Sequence, residues 1–169
     1  MKIDLKKLNA SARASIPFDE TIDLTDEKLY GAKPFQSPVH IKGVVSNESG
    51  VVRLAGSIET IYSTECARCL KPLEIPLSAE ADMMLSDDPE AEEEDDLFVL
   101  TSDSVDPADV LVPALILQVQ MTYLCKEDCK GLCPHCGADR NVTDCDFDKK
   151  QIDPRFAALR ALLDSDKGE

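Results

Sequence analysis

The chain has 169 residues, of which 43% are apolar, 18 are basic and 33 are acidic, so its net charge is −15. This length suits a single domain, and no apolar run approaches the roughly 20 residues that a membrane span requires. The acidity is local, because residues 81–110 contain 12 acidic and no basic side chains. The sequence therefore lacks the dominant basic patch that is typical of nucleic-acid-binding proteins.

Residues 13–104 are predicted to be mainly β. Alternation of apolar and polar residues predicts strands over 13–24, 38–46 and 51–65 and a return strand that ends near Met83. A turn at Asn47–Gly50 joins two of these strands, so residues 38–85 favour an antiparallel three-stranded meander. Gly56 predicts a bulge or bend in the longest strand. Leu97–Leu100 is expected to add a short strand after an acidic loop over 86–96.

Two helices are predicted in the C-terminal half. Asp106 is a good N-cap and Pro107 suits the first helical position, which predicts a helix over 106–120. Pro113 is expected to kink or shorten it. The same Asp-Pro signature at Asp153 predicts the start of an amphipathic helix over 153–164. We therefore expect a single α+β domain over 1–169, with an antiparallel twisted sheet or partial barrel, two short helices and a zinc-binding Cys-rich segment over 124–146.

Seven cysteines carry the strongest chemical signal. Two pairs have the C-x2-C spacing of zinc knuckles, and four thiolates from two such turns form a tetrahedral shell. The preferred ligand set joins Cys66 and Cys69 to Cys133 and Cys136. A local set would instead use Cys125 and Cys129 with Cys133 and Cys136, and Cys125 and Cys129 are also candidates to replace either later ligand. Cys145 is interpreted as spare, and His135 is expected to point away from the metal.

The cysteines also have two rival interpretations. Disulfides are disfavoured because the count is odd and the N-terminus has no apolar signal segment, which favours a reducing, cytoplasmic location. A thiol-disulfide oxidoreductase using Cys66 and Cys69 stays an alternative, since Arg68 could lower a thiol pKa. A closed four-thiolate shell is structural, so we expect zinc, no enzyme activity and no small-molecule substrate.

The acidic loop over 86–96 suggests the kind of partner. Such a run is typical of a solvated loop, and it could also attract a basic protein, such as a ribosomal protein. A competing hypothesis is a direct RNA-binding module, for which Arg53, Arg68 and Lys71 would form a small basic face near the first Cys pair.

Three segments together resemble one known family. They are Glu65-Cys66-Ala67-Arg68-Cys69-Leu70, the stretch from Leu124 to Gly137 with Cys-Lys-Gly-Leu-Cys-Pro-His-Cys-Gly, and Asp153-Pro154-Arg155-Phe156-Ala157-Ala158-Leu159. This order resembles the bacterial YceD family, the large ribosomal RNA subunit accumulation proteins. The resemblance implies a cytoplasmic, non-enzymatic factor that supports accumulation of 23S ribosomal RNA, together with a link to a ribosomal protein or a pre-ribosomal particle of the large subunit. Relatives with the full C-terminal pattern often end it in Cys-x-Cys, whereas here Cys145-Asp146-Phe147 supplies only the first thiol.

Overall fold

The computed structural model describes residues 2–9, 13–88 and 96–143. The chain forms two compact units, Met1–Cys125 and Lys126–Glu169. All the helices and strands of the described residues lie in the first unit. They are β1 (Ile3–Asp4), α1 (Lys6–Asn9), β2 (Ser15–Ile22), β3 (Val39–Glu48), β4 (Val51–Glu65), β5 (Pro72–Ser86), β6 (Leu97–Val99), β7 (Ser104–Val105) and α2 (Pro107–Leu117).

The main sheet is a curled five-stranded sheet with the order β2-β3-β4-β5-β6. Strands β2 to β5 pair antiparallel with their sequence neighbours, which confirms the predicted meander. Strand β6 departs from the predicted antiparallel pattern, because it pairs parallel to β5 through Met84–Leu97 to Ser86–Val99. A second, two-stranded sheet pairs β1 with β7 and was not predicted, since each strand has only two residues.

The core lies on one face of the main sheet. Odd-numbered residues of β3 and even-numbered residues of β4 point into it, and Ile41 and Ile58, which face each other across the ladder, are fully buried. Helix α2 packs over this face through Leu111 and Leu115. The fully buried apolar side chains at its centre are Leu8, Val39, Ile41, Val45, Leu54, Ile58, Leu111 and Leu115.

The predicted bulge at Gly56 is absent. Gly56 pairs with Gly43 of β3 and with Ala81 of β5, and the register is continuous on both sides. An added Cβ would lie 2.6 Å from the Phe18 ring at Gly43 and 3.0 Å from it at Gly56. The two glycines therefore make room for a buried phenyl ring that crosses the strands.

Helix α2 begins as the sequence predicts. The Asp106 carboxylate accepts a hydrogen bond from the Ala108 N–H (3.1 Å), and Pro107 occupies the first turn. The helix continues through Pro113 and ends at Leu117, three residues before the predicted boundary. The predicted helix over 153–164 lies outside the described residues. No helix in the described part of the chain is long and apolar enough to cross a membrane.

Candidate metal centre

The first knuckle, Cys66–Lys71, is the tight turn between β4 and β5. The Cys66 N–H donates to the Lys71 carbonyl (2.8 Å), and the Leu70 N–H donates to the Cys66 carbonyl (2.9 Å). Leu70 adopts a positive φ of 59°, which brings the chain back into β5. Because the turn lies between two paired 15-residue strands, its two thiols are held by the longest ladder of the sheet.

Tyr123 brings a third thiol to this turn. Its ring packs on Tyr62 of β4, with ring centroids 5.5 Å apart, and its carbonyl accepts a hydrogen bond from the Ala67 N–H (2.9 Å). Two residues later, the Cys125 Sγ lies 3.6 Å from the Cys69 Sγ. The backbone bond to Ala67 thus fixes the approach of Cys125 to the first knuckle.

The fourth thiol belongs to Cys129, four residues further along. A turn in which the Cys129 N–H donates to the Lys126 carbonyl (3.1 Å) positions it. The Asn141 amide donates to the Cys129 Sγ (3.4 Å) and accepts from the Lys130 N–H (2.9 Å). Asn141 is a site residue that the sequence did not indicate, because no spacing rule links an amide to a sulfur twelve positions away.

The four sulfur atoms form one group. Those of Cys66, Cys69, Cys125 and Cys129 all lie within 4.8 Å of one another, and three of the four residues are buried. A tetrahedral shell with Zn–S bonds of about 2.3 Å needs sulfur atoms about 3.8 Å apart, so the group fits a thiolate-bound metal such as zinc.

Cys66 is poised to supply a thiolate. Burial raises the pKa of its thiol, but hydrogen bonds from the backbone N–H groups of Cys125, Arg68 and Cys69, together with the Cys69 thiol, lower the pKa to about 6. The thiolate is the form that binds metal. Hydrogen-bond donors directed at a sulfur atom therefore prepare it for a cation.

The structure brings the first Cys pair together with Cys125 and Cys129, whereas the preferred ligand set joined that pair to Cys133 and Cys136. Cys133 is buried and Cys136 is exposed. They belong to a second turn of the same form, in which the Cys133 N–H donates to the Ala138 carbonyl (2.8 Å) and the Gly137 N–H donates to the Cys133 carbonyl (2.9 Å). His135 is exposed within this turn, and Cys145 lies outside the described residues.

The small basic face predicted for RNA binding is not assembled. Arg68 and Lys71 are exposed at the first knuckle, whereas Arg53 lies near the opposite end of β4. Twelve residues of extended strand separate Arg53 from the end of β4, or roughly 40 Å. Arg53 instead contacts Asp82 of β5 (2.5 Å). Of the acidic loop over 86–96, the positions 89–95 lie outside the described residues.

A comparison with protein families matches residues 54–163 to the family described as "Large ribosomal RNA subunit accumulation protein YceD". The match covers well over half of the chain and includes all four clustered cysteines. The chain belongs to the YceD family. The resemblance noted in the sequence is thereby confirmed, and the family name concerns ribosomal RNA of the large subunit.

Curated relatives support this assignment. The uncharacterized protein YlbN of Bacillus subtilis (strain 168) is 29% identical over 169 residues, covering 98% of both chains. The uncharacterized protein Rv2926c of Mycobacterium tuberculosis is 30% identical, covering 70% of this chain and 59% of that protein. The chloroplastic large ribosomal RNA subunit accumulation protein YCED homolog 1 of Zea mays is 26% identical, covering 67% of this chain and 49% of that protein. No solved structure matches.

Proposed function

We propose that this YceD protein is a non-enzymatic, cytoplasmic ribosome-biogenesis factor that supports accumulation of 23S ribosomal RNA. The family match supports the biological role, and the four-sulfur group supports a structural role for a bound metal. Four ligands of one type leave no open coordination position, which is the arrangement of structural and not catalytic zinc. The role of the metal would then be to order the turns that carry the cysteines, since metal binding contributes folding free energy.

The cellular role is tested by complementation. A strain lacking this gene receives the wild-type chain, the double variant Cys66→Ser/Cys69→Ser, or Cys136→Ser as a control thiol outside the four-sulfur group. The expected result is a reduced ratio of 23S to 16S RNA that the wild type restores and the double variant does not. An unchanged ratio in the deletion strain would contradict the proposed role.

The ligand set is tested by elemental mass spectrometry of protein purified under reducing conditions. We expect about one zinc per chain, lost in Cys66→Ser/Cys69→Ser and equally in Cys125→Ser/Cys129→Ser. Zinc that is lost when either Cys66/Cys69 or Cys133/Cys136 is replaced, and kept when Cys125 and Cys129 are replaced, would restore the ligand set preferred from the sequence. Iron in place of zinc would change the metal but keep the site, because four-cysteine shells also hold iron.

The proposed partner is a ribosomal protein or pre-ribosomal particle of the large subunit, bound through protein surfaces. The concentration of 12 acidic and no basic residues over 81–110 supports this, and Asp87, Asp88 and Asp96 are among them at the described ends of the acidic loop. Ribosomal partners are basic, and a local excess of carboxylates accelerates association with a basic protein.

A thiol-disulfide oxidoreductase is the second candidate, and the low pKa of Cys66 is the observation that favours it. The Cys66 side chain is fully buried, however, so a substrate disulfide has no access to its sulfur. Reactive cysteines are partly exposed. Disulfide reductase activity that is lost on replacing Cys66 would overturn the structural interpretation.

A further inference from the structure

Strand β5 pairs with β4 on one side, and its other side forms an edge of the sheet. The backbone N–H and C=O groups of successive β5 residues point alternately toward β4 and toward this edge. The Met84 N–H donates to the Asp96 carbonyl and the Ser86 carbonyl accepts from the Leu100 N–H, both at 2.7 Å. These bonds point away from β4, so the even-numbered residues of β5 direct their N–H and C=O groups outward. The N–H and C=O groups of odd-numbered residues, such as Ala79 opposite Ile58, point toward β4.

Only part of this edge is protected against strand addition. Pro72 and Pro76 occupy outward positions and have no N–H to offer. Strand β6 covers Met84–Ser86. Between them, Ser78, Glu80 and Asp82 present three successive outward N–H groups, and no described residue pairs with the β5 edge there.

The opposite edge of the sheet is less suited to an added strand. By the same alternation, the outward backbone groups of β2 belong to Ser15, Pro17, Asp19 and Thr21. Pro17 interrupts this row of donors after its first member. The Ser78–Asp82 edge is therefore the longest uninterrupted row of outward donors in the described part of the main sheet.

The acidic side chains around this edge favour a basic binding partner. The side chains of Ser78, Glu80 and Asp82 are exposed on the outer face of the sheet, opposite the core. Both basic side chains of that face are already paired, Lys42 with Glu59 and Arg53 with Asp82. The exposed acidic residues of the outer face are Asp19, Glu48, Glu59, Glu65, Glu74, Glu80 and Asp82.

We propose that the Ser78–Asp82 edge binds an extended segment of a basic partner protein as an added strand next to β5. Lysine or arginine of that segment would lie beside Glu80 and Asp82, and the alternate apolar residues would lie on the side of Leu77 and Ala79. A second copy of this chain is disfavoured, because an antiparallel edge-to-edge pair would place carboxylates opposite carboxylates. The inference rests on the proposed function only in taking the partner to be a protein.

The test is binding of a synthetic nine-residue peptide in which Lys and Val alternate, measured by calorimetry with the full-length, metal-loaded protein. Ser78→Pro removes one outward N–H without changing charge, and Pro76→Ala restores one. A hydrogen bond is worth about 1 kcal/mol and every 1.4 kcal/mol is tenfold in Kd, so we expect Ser78→Pro to weaken binding about fivefold or more, and Pro76→Ala to strengthen it several-fold. Ser15→Pro, at an outward position of β2, is the matched control and should bind like wild type.

Amide exchange gives an independent measurement. Before binding, the N–H groups of Ser78, Glu80 and Asp82 should exchange faster than those of Leu77, Ala79 and Ala81, and the peptide should slow their exchange. If circular dichroism shows that Ser78→Pro is unfolded, Pro76→Ala and a peptide with alternate N-methylated amides test the proposal instead. N-methylation keeps the charge of the peptide and removes the N–H groups that would hydrogen-bond to β5.

Three results would overturn the proposal. They are equal binding by Ser78→Pro and wild type, equal binding of the N-methylated peptide, and a wild-type dimer in sedimentation that Ser78→Pro dissolves, which would make a second copy the occupant. The proposed function fails separately, through an unchanged 23S to 16S ratio in the deletion strain.

Discussion

At the scale of single residues, Leu70 shows how the knuckle is made and what it costs. Leu70 has a φ of 59° in the first knuckle, and Gly137 has a φ of 73° at the equivalent position of the Cys133–Ala138 turn. A side chain in this left-handed region costs roughly 1–2 kcal/mol, whereas glycine adopts it freely. The same turn is therefore built once with strain and once without.

Exchanging these residue types should change stability in opposite directions. Leu70→Gly removes the strain but adds backbone entropy to the unfolded chain, so we expect a gain of about 0.5 kcal/mol in unfolding free energy. Gly137→Leu should lose about 1–2 kcal/mol. Urea denaturation in saturating zinc measures both, with Leu124→Gly, an exposed position outside either turn, as a control for loss of a surface leucine. A loss of stability in Leu70→Gly would show that the leucine side chain contributes contacts of its own.

At the scale of elements, the packing on the core face of β2, β3 and β4 depends on Gly43 and Gly56, which leave room for the Phe18 ring. An added Cβ at Gly56 would lie 2.9 Å from the Lys42 carbonyl and 3.0 Å from the Phe18 ring. Phe18 is only 4% exposed, so its ring has little freedom to move away. The sequence marked Gly56 as the site of a bulge or bend, and the continuous register excludes the bulge. The Phe18 ring, which needs the space, is 38 positions away on another strand, so the sequence did not indicate it.

A double-mutant cycle separates these contributions. Gly56→Ala should destabilise the protein by about 1–3 kcal/mol, as overpacking does. Phe18→Leu leaves a smaller side chain over the glycine, so Gly56→Ala should cost less in that background, with a coupling of at least about 0.5 kcal/mol. Thermal unfolding of the four proteins provides the cycle. Strict additivity would mean that the Lys42 carbonyl, and not the ring, excludes a side chain at Gly56.

At the scale of the whole molecule, charge is the dominant property. The net charge is −15, and residues 81–110 carry 12 of the acidic side chains with no basic ones. A field of this kind extends about 8 Å at physiological ionic strength and affects association rates more than the bound state.

Association with the proposed large-subunit partner should therefore slow as salt rises, by about tenfold or more over the range in which screening becomes complete. Replacing Glu92, Glu93, Glu94 and Asp95 by their amides should remove much of that dependence. Neutralising Asp23, Glu27, Asp109 and Glu127, four acidic residues outside the loop, is the charge-matched control. Surface plasmon resonance at several salt concentrations measures the rates. Association that neither salt nor the loop variant alters would exclude electrostatic attraction by the loop.

The sequence by itself determined the elements whose signals are local. Alternation over 51–65 predicted β4 with its observed bounds, and Asp106-Pro107 predicted the start of α2, because strand faces and helix caps are set by neighbouring residues. Cysteine spacing likewise indicated the two C-x2-C turns and six candidate thiols, although its preferred ligand set contained only two of the four that cluster. The motifs around the cysteines indicated the YceD family.

Only the tertiary structure decided which thiols meet and which edges stay open. Cys125 reaches Cys66 and Cys69 because the Tyr123 ring packs on Tyr62 and its carbonyl bonds to Ala67, and no spacing rule encodes that contact. Strand β6 similarly pairs only with Met84–Ser86 of β5, so no strand among the described residues pairs with the Ser78–Asp82 edge. Spacing specifies ligand types and turns, whereas the choice among equivalent thiols depends on long-range packing that brings distant segments together.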